Sequence, residues 1–550
     1  MEKPWLQQYP PEIPATVEIP ETPLFHLLDE GAKKHGARTA LIFLGKKISY
    51  SELHQLVEHF ASGLTRLGLQ KGDRVSIMLP NMPQFVIAFY AALKVGATIV
   101  QTNPLYTEHE LEEILKDSGA QTLITLDRFY PKVRHVREKL KLKNLILSRV
   151  EDFLPWAKKI LLRLKWKITR EPLLVMPPEP DAYDFMKLLE EPASPRPTIA
   201  INPREDVALL QYTGGTTGTP KGAMLTHTNL MANAMQNRAW YPRAREGQET
   251  VLAVAPFFHV YGMTVAMNLP LSYGSTLVLI PRFDIDELLK AIDRYKPTIF
   301  PGVPTLYIAI NHHPKAKRYD LSSLRECISG SAPLLADVRE KFEQLTGATL
   351  VEGYGLSEAS PVTHSNLLDG KQVEGSIGIP LPNTEAMILN LETGKPAAIG
   401  ESGELLVRGP QIMKGYWNKP EATQAAITPE GWLRTGDIAT MNEEGYFFIV
   451  DRLKDMINCS GLKVYPREVE EILHQHPKVR EAAVVGVPDA YRGETVKAVI
   501  VPQPNETLTE REIAEFCAQQ LAKYKIPKLI EFRTELPKSA VGKILKRNLK

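Results

Sequence analysis

Residues 212–227 read YTGGTTGTPKGAMLTH, and they say more about the fold than any other stretch of the chain. They directly follow the apolar run 207–210, which is typical of a buried strand. Glycines let backbone N–H groups approach an anion closely, threonine hydroxyls add donors, and lysine supplies positive charge. The stretch therefore predicts a loop that follows a buried strand and binds phosphate groups. A Gly/Thr-rich connection without a ligand is the alternative.

The spacing within this loop differs from that of P-loop NTPases. In those proteins the second glycine of the motif is followed directly by lysine and then serine or threonine. Here Thr219 and Pro220 separate Gly218 from Lys221. The loop thus implies a nucleotide that is bound in a different fold. The candidate phosphate-binding residues are Thr213, Gly214, Gly215, Thr216, Thr217, Gly218 and Lys221.

Composition excludes several classes of protein. With 550 residues and 43% hydrophobic content, the chain can bury large cores in more than one domain. A formal net charge of +2 argues against a dedicated nucleic-acid binder. The polar, proline-rich N-terminus lacks secretion features, and the apolar run 85–100 is too short to span a bilayer. We therefore expect a soluble, cytoplasmic protein.

The cysteines favour a reducing compartment, because they are few, odd in number and without the spacing of a metal site. They are Cys327, Cys459 and Cys517. Each is expected to be a small buried side chain rather than a nucleophile.

Periodicity in the first part of the chain predicts alternating helices and strands. Ser49 and Glu52 have the spacing of a capping box ahead of a helical apolar pattern. A strand at 74–79, a helix at 83–94 and a strand at 98–101 follow. This alternation indicates α/β layers with largely parallel strands.

The pattern restarts after Asp451 as a shorter unit. Helices are predicted at 466–474 and 510–523, with strands near 482–487 and 495–501. The sequence therefore predicts a large α/β domain followed by a small α+β domain.

Five further motifs follow in order, and together with residues 212–227 they extend through most of the chain. They are PFFHVYGM at 256–263, EGYGLSE at 352–358, GWLRTGD at 431–437, IVDRLKDMINCSGLKVYP at 449–466 and LPKSAVGKI at 536–544. The set resembles the ordered signatures of the adenylate-forming enzymes, which include acyl-CoA synthetases, aryl-CoA ligases, luciferases and peptide-synthetase adenylation modules. The resemblance implies a multi-subdomain N-terminal domain at 1–450, a hinge at 451–454 and a mobile C-terminal domain at 455–550.

The resemblance also implies an ATP site with magnesium. Tyr354 would pack against adenine, Asp437 and Arg452 would bind the ribose hydroxyls, and Glu358 would coordinate Mg²⁺. Judged without the resemblance, Asp437 and Arg452 are each expected in a surface salt bridge, and Glu358 in a solvated turn. The remaining residues that it assigns to nucleotide binding are Ser331, Ala332, Glu352, Gly353, Gly355 and Ser357.

Catalytic roles are implied for three residues. Lys543 would contact the carboxylate and the α-phosphate, Lys221 would hold the departing pyrophosphate, and His259 would lie at the mouth of the acyl site. A basic tail is the alternative for Lys543, and a packed core residue is the alternative for His259. Lys454 matches the family's hinge residue, and Gly461 matches the glycine beside which the pantetheine arm of coenzyme A enters.

The stretches 374–386 and 431–457 are similar to those of bacterial long-chain fatty acyl-CoA synthetases. The resemblance therefore implies that a fatty acid, ATP and coenzyme A give acyl-CoA, AMP and pyrophosphate. Arg434 and Leu453 replace a common histidine and a common lysine, which leaves the chain-length preference open. A medium-chain or aryl acid–CoA ligase is one alternative. A non-catalytic protein that binds fatty acid or recruits other proteins to membranes is another.

A basic, tryptophan-bearing segment lies between Trp156 and Arg170 and contains no acidic residue. Such a segment can lie at an anionic membrane surface, which would make the protein peripheral at the inner face of the membrane. An ordinary surface helix is the alternative. A homodimer is also compatible with the sequence.

Overall fold

The computed structural model describes residues 3–160, 181–190, 199–213, 220–459, 462–489, 493–539 and 544–550. Its α-helices are α1 His26–His35, α2 Tyr50–Arg66, α3 Pro83–Lys94, α4 Glu108–Ser118, α5 Tyr130–Leu140, α6 Phe185–Glu190, α7 His227–Ala239, α8 Val260–Met263, α9 Leu269–Ser272, α10 Ile285–Tyr295, α11 Pro304–His312, α12 Ala336–Thr346, α13 Pro420–Ala426, α14 Pro466–His474 and α15 Glu510–Ala518. Its β-strands are β1 Thr39–Phe43, β2 Lys46–Ser49, β3 Arg74–Met78, β4 Thr98–Gln101, β5 Thr122–Leu126, β6 Asn144–Ser148, β7 Ala182–Asp184, β8 Val207–Thr213, β9 Lys221–Thr226, β10 Thr250–Ala253, β11 Thr276–Leu279, β12 Ile299–Gly302, β13 Glu326–Ser329, β14 Thr349–Gly355, β15 Val362–Ser365, β16 Ile379–Pro380, β17 Glu385–Leu389, β18 Gly403–Arg408, β19 Gly415–Tyr416, β20 Leu433–Met441, β21 Phe447–Arg452, β22 Ile457–Cys459, β23 Leu462–Val464, β24 Val479–Asp489, β25 Gly493–Pro502 and β26 Leu529–Phe532.

Two large sheets organise the first part of the chain. Within the described residues, one has nine strands in the order β16-β15-β14-β13-β12-β10-β11-β1-β2. The other has eight, in the order β19-β9-β8-β4-β3-β5-β6-β7. Strands β10 to β14 and β3 to β8 pair in parallel within their sheets, whereas β8–β9 and β14–β15 are antiparallel. The predicted α/β class with largely parallel strands is confirmed.

Helix α3 shows why the apolar run 85–100 belongs to the core. Residues 83–93 of this helix are all buried, and Lys94 at its last position forms an ion pair with Asp29. A helix that is apolar on all sides is expected to be buried in a large core or a membrane. No helix in the described ranges is long and apolar enough to cross a bilayer.

Helix α2 begins at the predicted Ser49 cap, but the Glu52 carboxylate lies 3.8 Å from Lys46 Nζ instead of closing the predicted capping box. The Ser49 hydroxyl accepts a hydrogen bond from the backbone N–H of Glu52 at 3.1 Å, which satisfies a donor in the first turn of the helix. Its apolar face, which includes Leu53, Val57 and Phe60, is buried in the main core.

A small antiparallel sheet with strand order β17-β18-β20-β21 precedes the C-terminal unit. Residues 451 and 452 still belong to its last strand, β21, which pairs with β20 at Asp437. The chain then turns, since Asp455 N–H and Met456 N–H both donate to the carbonyl of Arg452. Leu453 N–H still donates to the carbonyl of Gly436 in β20, so the segment that leaves this sheet before β22 is 454–456, and it overlaps the predicted hinge only at Lys454.

The C-terminal unit has a sheet of its own, in which β25 pairs with β22, β24 and β26. Helix α14 has the predicted bounds, and the predicted strands lie within β24 and β25. Helix α15 ends at Ala518 rather than at 523. Helix-like hydrogen bonds continue for one more turn, since Gln520 N–H and Leu521 N–H both donate to the carbonyl of Cys517. Lys528 N–H then donates to the carbonyl of Val496, next to where β26 joins the sheet. An α+β unit is confirmed.

Cys327, Cys459 and Cys517 are all buried, as predicted. Burial raises the pKa of the Cys517 thiol to about 11, so this side chain is protonated at neutral pH.

Candidate active site

The predicted phosphate loop joins β8 to β9 in an antiparallel hairpin. Thr213 and Lys221 lie opposite each other in the register, so the two ends of the loop are adjacent. Between them, Gly214, Gly215, Thr216, Thr217 and Gly218 fall outside the described residues. The hairpin thus fixes where the loop begins and ends.

Asp117, the penultimate residue of α4, anchors the start of this loop. Its carboxylate accepts a hydrogen bond from the Tyr212 hydroxyl at 2.7 Å, and its backbone carbonyl accepts one from the indole N–H of Trp417 at 3.2 Å. Burial, and then the Asp117 carboxylate, raise the pKa of Tyr212. The tyrosine is therefore a neutral donor that ties β8 to α4.

Lys221, Tyr416 and Glu358 form a continuous row of contacts. The Lys221 ammonium lies 5.2 Å from the centroid of the Tyr416 ring, within the range of a cation–π contact. The Tyr416 hydroxyl donates to Glu358 Oε1 at 2.8 Å. Burial, and then Glu358, raise the pKa of Tyr416, so its phenol stays neutral. Glu358 is half-buried and hydrogen-bonded, which differs from a solvated glutamate in a turn.

A second group joins Tyr354, Asp437 and Arg452. The Tyr354 hydroxyl donates to Asp437 Oδ2 at 2.6 Å, and Arg452 Nε lies 3.2 Å from Asp437 Oδ1. The Asp437 side chain is only 6% exposed, so the pair is not a surface salt bridge. Asp437 and Arg452 face each other across β20 and β21, which explains why residues of two separate motifs meet.

Glu352 connects the end of β14 with the loop after β13. Its Oε2 atom accepts a hydrogen bond from Leu334 N–H at 3.0 Å. Burial raises the pKa of Glu352 to about 7, although this hydrogen bond opposes the shift. The loop that it holds contains Ser331 and Ala332, and Ser331 adopts a positive φ of 71°. Glu352 therefore holds the loop that carries these two predicted purine-pocket residues next to β14.

Gly353 and Gly355 lie at the end of β14, and Ser357 begins the short turn of 3₁₀-helix that carries Glu358. A Cβ atom at Gly355 would lie 2.1 Å from the carbonyl oxygen of Pro361. A side chain at position 355 would therefore push the returning chain away from β14.

His259 caps a short helix rather than standing alone. Its Nδ1 accepts a hydrogen bond from Tyr261 N–H at 3.3 Å, so the imidazole carries its proton on Nε2 when it makes this bond. A π-helical turn at 264–268 follows α8, and the Thr264 hydroxyl donates to the Ser360 carbonyl at 2.8 Å. The segment that begins with His259 therefore lies next to the chain that carries Glu358. Because His259 Nδ1 is already occupied by the Tyr261 N–H, the contact favours a positioning role for His259 over acid–base catalysis.

The predicted hinge residue follows the end of β21. Lys454 is exposed in the turn after β21. Asp451 is buried, and its two carboxylate oxygens accept hydrogen bonds from Arg452 N–H at 2.6 Å and Arg467 N–H at 2.7 Å. Lys543 and Gly461 lie outside the described residues.

Sequence reasoning missed Asp117 and Tyr416. The local pattern around Tyr416, KGYWNKP, gives a turn or short strand but no partner. Its position depends on the pairing of β19 with β9, which are distant in the chain. A lone aromatic residue carries no signal for such a contact.

Two protein-family models match the chain. The AMP-binding enzyme model matches residues 28–417, and the model for the C-terminal domain of AMP-binding enzymes matches residues 468–543. The chain belongs to the AMP-binding enzyme family. The matched ranges of this family cover the phosphate hairpin, the Glu358 segment and, in the C-terminal model, Lys543.

Full-length relatives agree with this membership. The chain is 49% identical to the long-chain-fatty-acid–CoA ligase of Bacillus subtilis (strain 168) over 549 residues, which cover 100% of this chain and 98% of the relative. It is 41% identical to the long-chain-fatty-acid–CoA ligase of Escherichia coli O157:H7, with the same coverage. Among solved structures, ATP-bound MatB from Rhodopseudomonas palustris matches with a TM-score of 0.84 and 30% identity, covering 96% of this chain and 97% of MatB.

Proposed function

We propose that this AMP-binding enzyme ligates a long-chain fatty acid to coenzyme A. The reaction uses ATP, proceeds through an acyl-adenylate, and releases AMP and pyrophosphate. One observation carries the proposal: the row Lys221, Tyr416, Glu358 and the group Tyr354, Asp437, Arg452 both meet the segment 354–358. Sequence identity of 49% and 41% with two long-chain-fatty-acid–CoA ligases, over the whole chain, supports a long-chain fatty acid as the substrate.

In the first half-reaction, a carboxylate oxygen of the acid attacks the α-phosphorus of ATP. The new O–P bond forms as the bond to pyrophosphate breaks. Lys221 and the phosphate loop would bind the leaving pyrophosphate, and Lys543 would contact the carboxylate and α-phosphate oxygens. Asp437 and Arg452 would hold the ribose, so that the α-phosphate is oriented toward the acid.

The residues present fit a magnesium ion at Glu358. Its carboxylate is half-buried, and among the described residues its hydrogen-bond partner on the side chain is the neutral Tyr416 hydroxyl rather than a cation. Mg²⁺ usually binds through one or two carboxylates together with substrate phosphates. Bound there, the ion would neutralise charge on the phosphates as pyrophosphate departs.

We propose that after adenylation the C-terminal domain rotates about Lys454, which moves Lys543 out of the site. In the second half-reaction the sulfur of coenzyme A attacks the acyl carbon of the adenylate; the new C–S bond forms as the C–O bond to AMP breaks, AMP leaves, and the thiol proton is lost to solvent. Gly461 would line the channel for the pantetheine arm, since any side chain would narrow it. The hinge at 451–454 and the domain boundaries on either side of it remain a prediction.

The proposed activity is tested by mass spectrometry of acyl-CoA products. The protein is incubated with ATP, Mg²⁺, coenzyme A and single acids from acetate to stearate, together with aromatic acids. Acyl-CoA formation that is strongest with long chains is expected. A preference for short, medium-length or aromatic acids would replace long-chain specificity with one of the alternative ligases. No product with any acid would favour the non-catalytic alternative.

Peripheral membrane binding is proposed for the start of the basic segment. Trp156 is 79% exposed and Ile160 is 51% exposed, Lys158 is exposed beside them, and Lys159 is half-buried. These two large apolar side chains are spaced four residues apart, so they share one face of the helical turn in which they lie. The rest of the segment, up to Arg170, is outside the described residues. An enzyme bound in this way would work in the cytoplasm at the inner face of the membrane.

Liposome co-sedimentation tests this surface. The double variant Trp156→Ala with Ile160→Ala should bind anionic vesicles less than the wild type does, whereas both should bind neutral vesicles weakly. Equal binding of wild type and variant would exclude the segment as a membrane contact. Light scattering of the same samples measures whether the chain forms a homodimer.

A further inference from the structure

Tyr416 contacts both side chains that are proposed to serve the pyrophosphate end of ATP. Its hydroxyl donates to Glu358 Oε1 at 2.8 Å, and its ring lies 5.2 Å from the Lys221 ammonium. The proposed reaction assigns it no role. One half-buried side chain thus separates the carboxylate from the lysine and contacts each of them.

The backbone around Tyr416 is hydrogen-bonded both to the chain at Glu358 and to the chain next to Lys221. Met413 N–H donates to the carbonyl of Glu358 at 2.8 Å, and Trp417 N–H donates to the carbonyl of Gly222 at 2.8 Å. Tyr416 itself pairs with Ala223 of β9. The segment 413–417 is therefore bonded to the chain next to both groups that the tyrosine contacts.

A further contact fixes the peptide of Tyr416. Its N–H donates to the Thr423 hydroxyl at 2.9 Å, and a Cβ atom at Gly415 would lie only 2.7 Å from a side-chain atom of Thr423. This close packing against α13 limits how far the tyrosine can move. The ring is therefore presented on a rigid element rather than on a mobile loop.

We propose that Tyr416 is a positioning residue for the magnesium–triphosphate end of ATP. This inference rests on the proposed function, because it takes Glu358 as the metal ligand and Lys221 as the phosphate ligand. A phenol suits both contacts. It orients the carboxylate through a hydrogen bond without neutralising its charge, and its ring attracts the lysine without using the N–H donors that the phosphates need.

Charged residues would serve the site less well at this position. An acidic side chain would pair with Lys221 and repel the phosphates, and a basic one would pair with Glu358 and compete with the metal. Phenylalanine would keep the ring and lose the hydrogen bond. Leucine would lose both contacts. These last two substitutions therefore separate the two halves of the proposal.

The test measures calorimetric binding of ATP in the absence of fatty acid and coenzyme A, over a series of free Mg²⁺ concentrations. Tyr416→Phe should weaken Mg²⁺-dependent binding by about tenfold, the lower end of the effect expected for a hydrogen bond to a charged group. Its binding without Mg²⁺ should change little. Tyr416→Leu should weaken binding further, by about threefold, through loss of the cation–π contact.

Tyr446→Phe is the matched control, because the Tyr446 hydroxyl also donates one hydrogen bond, to the carbonyl of Lys371 at 2.9 Å. It should leave the Mg²⁺ dependence unchanged. In a Glu358→Gln background, Tyr416→Phe should have little further effect, since the carboxylate that it orients is gone. Thermal melting of each variant identifies any variant that fails to fold. If one of the two substitutions at position 416 fails to fold, the comparison in the Glu358→Gln background is made with the other substitution.

Three results would overturn the inference. Tyr416→Phe with wild-type Mg²⁺ dependence, or with its full effect retained in the Glu358→Gln background, removes the link to the carboxylate. Identical binding by Tyr416→Phe and Tyr416→Leu removes the link to Lys221. The proposed function fails separately, if the wild type binds Mg²⁺-ATP as expected but forms no acyl-CoA. The metal assignment fails if Glu358→Gln alone leaves Mg²⁺ dependence unchanged.

Discussion

Replacing Asp437 by asparagine should weaken ATP binding selectively at the ribose. The substitution keeps the shape of the side chain and removes its charge. In the structure the carboxylate accepts from Tyr354 at 2.6 Å and pairs with Arg452 at 3.2 Å, and it is only 6% exposed. The two donors therefore hold Asp437 in one orientation. We expect the ribose hydroxyls to meet a carboxylate that needs no reorganisation on binding.

The magnitude follows from the charge of the acceptor. A hydrogen bond to a charged group contributes about 1.5 to 3 kcal/mol, against about 0.5 to 1.5 kcal/mol for a neutral pair. Two ribose hydroxyls would thus lose about 2 to 3 kcal/mol together, which corresponds to binding that is roughly 30- to 150-fold weaker. Stability should fall less, by about 1 kcal/mol: the buried Tyr354 hydroxyl exchanges a charged acceptor for a neutral one, whereas the Arg452 side chain is 40% exposed and keeps contact with solvent.

The assay compares ATP with 2′,3′-dideoxy-ATP, which lacks both hydroxyls. Pyrophosphate release is measured for the wild type and for Asp437→Asn, at saturating fatty acid. The wild type should discriminate strongly between the two nucleotides, and the variant should discriminate much less. Asp369→Asn, which removes the charge of an exposed pair with Arg243, serves as the control. Equal discrimination by wild type and Asp437→Asn would refute the assignment of Asp437 to the ribose.

Three further predictions test other parts of the molecule. Lys543→Ala should abolish adenylate formation from acid and ATP while largely sparing thioester formation from preformed acyl-adenylate; equal loss of both half-reactions, followed by pyrophosphate and acyl-CoA, would contradict the assigned role. Gly461→Leu should largely spare adenylate formation and abolish thioester formation. An unchanged thioester step would exclude Gly461 from the coenzyme A channel. His364 is buried, and burial lowers the pKa of its imidazole to about 3. Since the unfolded chain binds this proton near pH 6.5, His364 should cost the folded protein about 2 kcal/mol of stability between pH 7 and pH 5. His364→Gln should reduce the pH dependence of urea unfolding by that amount, and an unchanged dependence would count against it.

Local sequence patterns predicted the elements that are determined locally. The apolar run of α3, the Ser49 cap of α2 and the bounds of α14 depend on residues within a few positions of one another. The end of α15 was predicted too late: the helix ends at Ala518, and only one further turn of hydrogen bonds, to the carbonyl of Cys517, follows it.

The site residues also differ in how far a local sequence pattern can identify them. The composition of residues 212–227 predicts a phosphate-binding loop, whereas Asp437 and Arg452 are assigned only through resemblance to a family. The contact of Tyr354 with Asp437 joins positions 83 residues apart, and no local pattern encodes it. Tyr416 was overlooked for the same reason, because only its contacts with Lys221 and Glu358 in the folded chain indicate a role.

The pairing of β9 with β19 has a consequence for synthesis of the chain. Gly415 pairs with Met224, so β19, the second neighbour of β9, is synthesised about 191 residues after the residue with which it pairs. At roughly 5 to 20 residues per second, a ribosome needs about 10 to 40 s to supply it. Until then β9 is an open sheet edge, on which a nascent chain can pair with another copy. Lys221 at its first position places a charge on that edge, which disfavours such pairing before the strand that completes the sheet has been made.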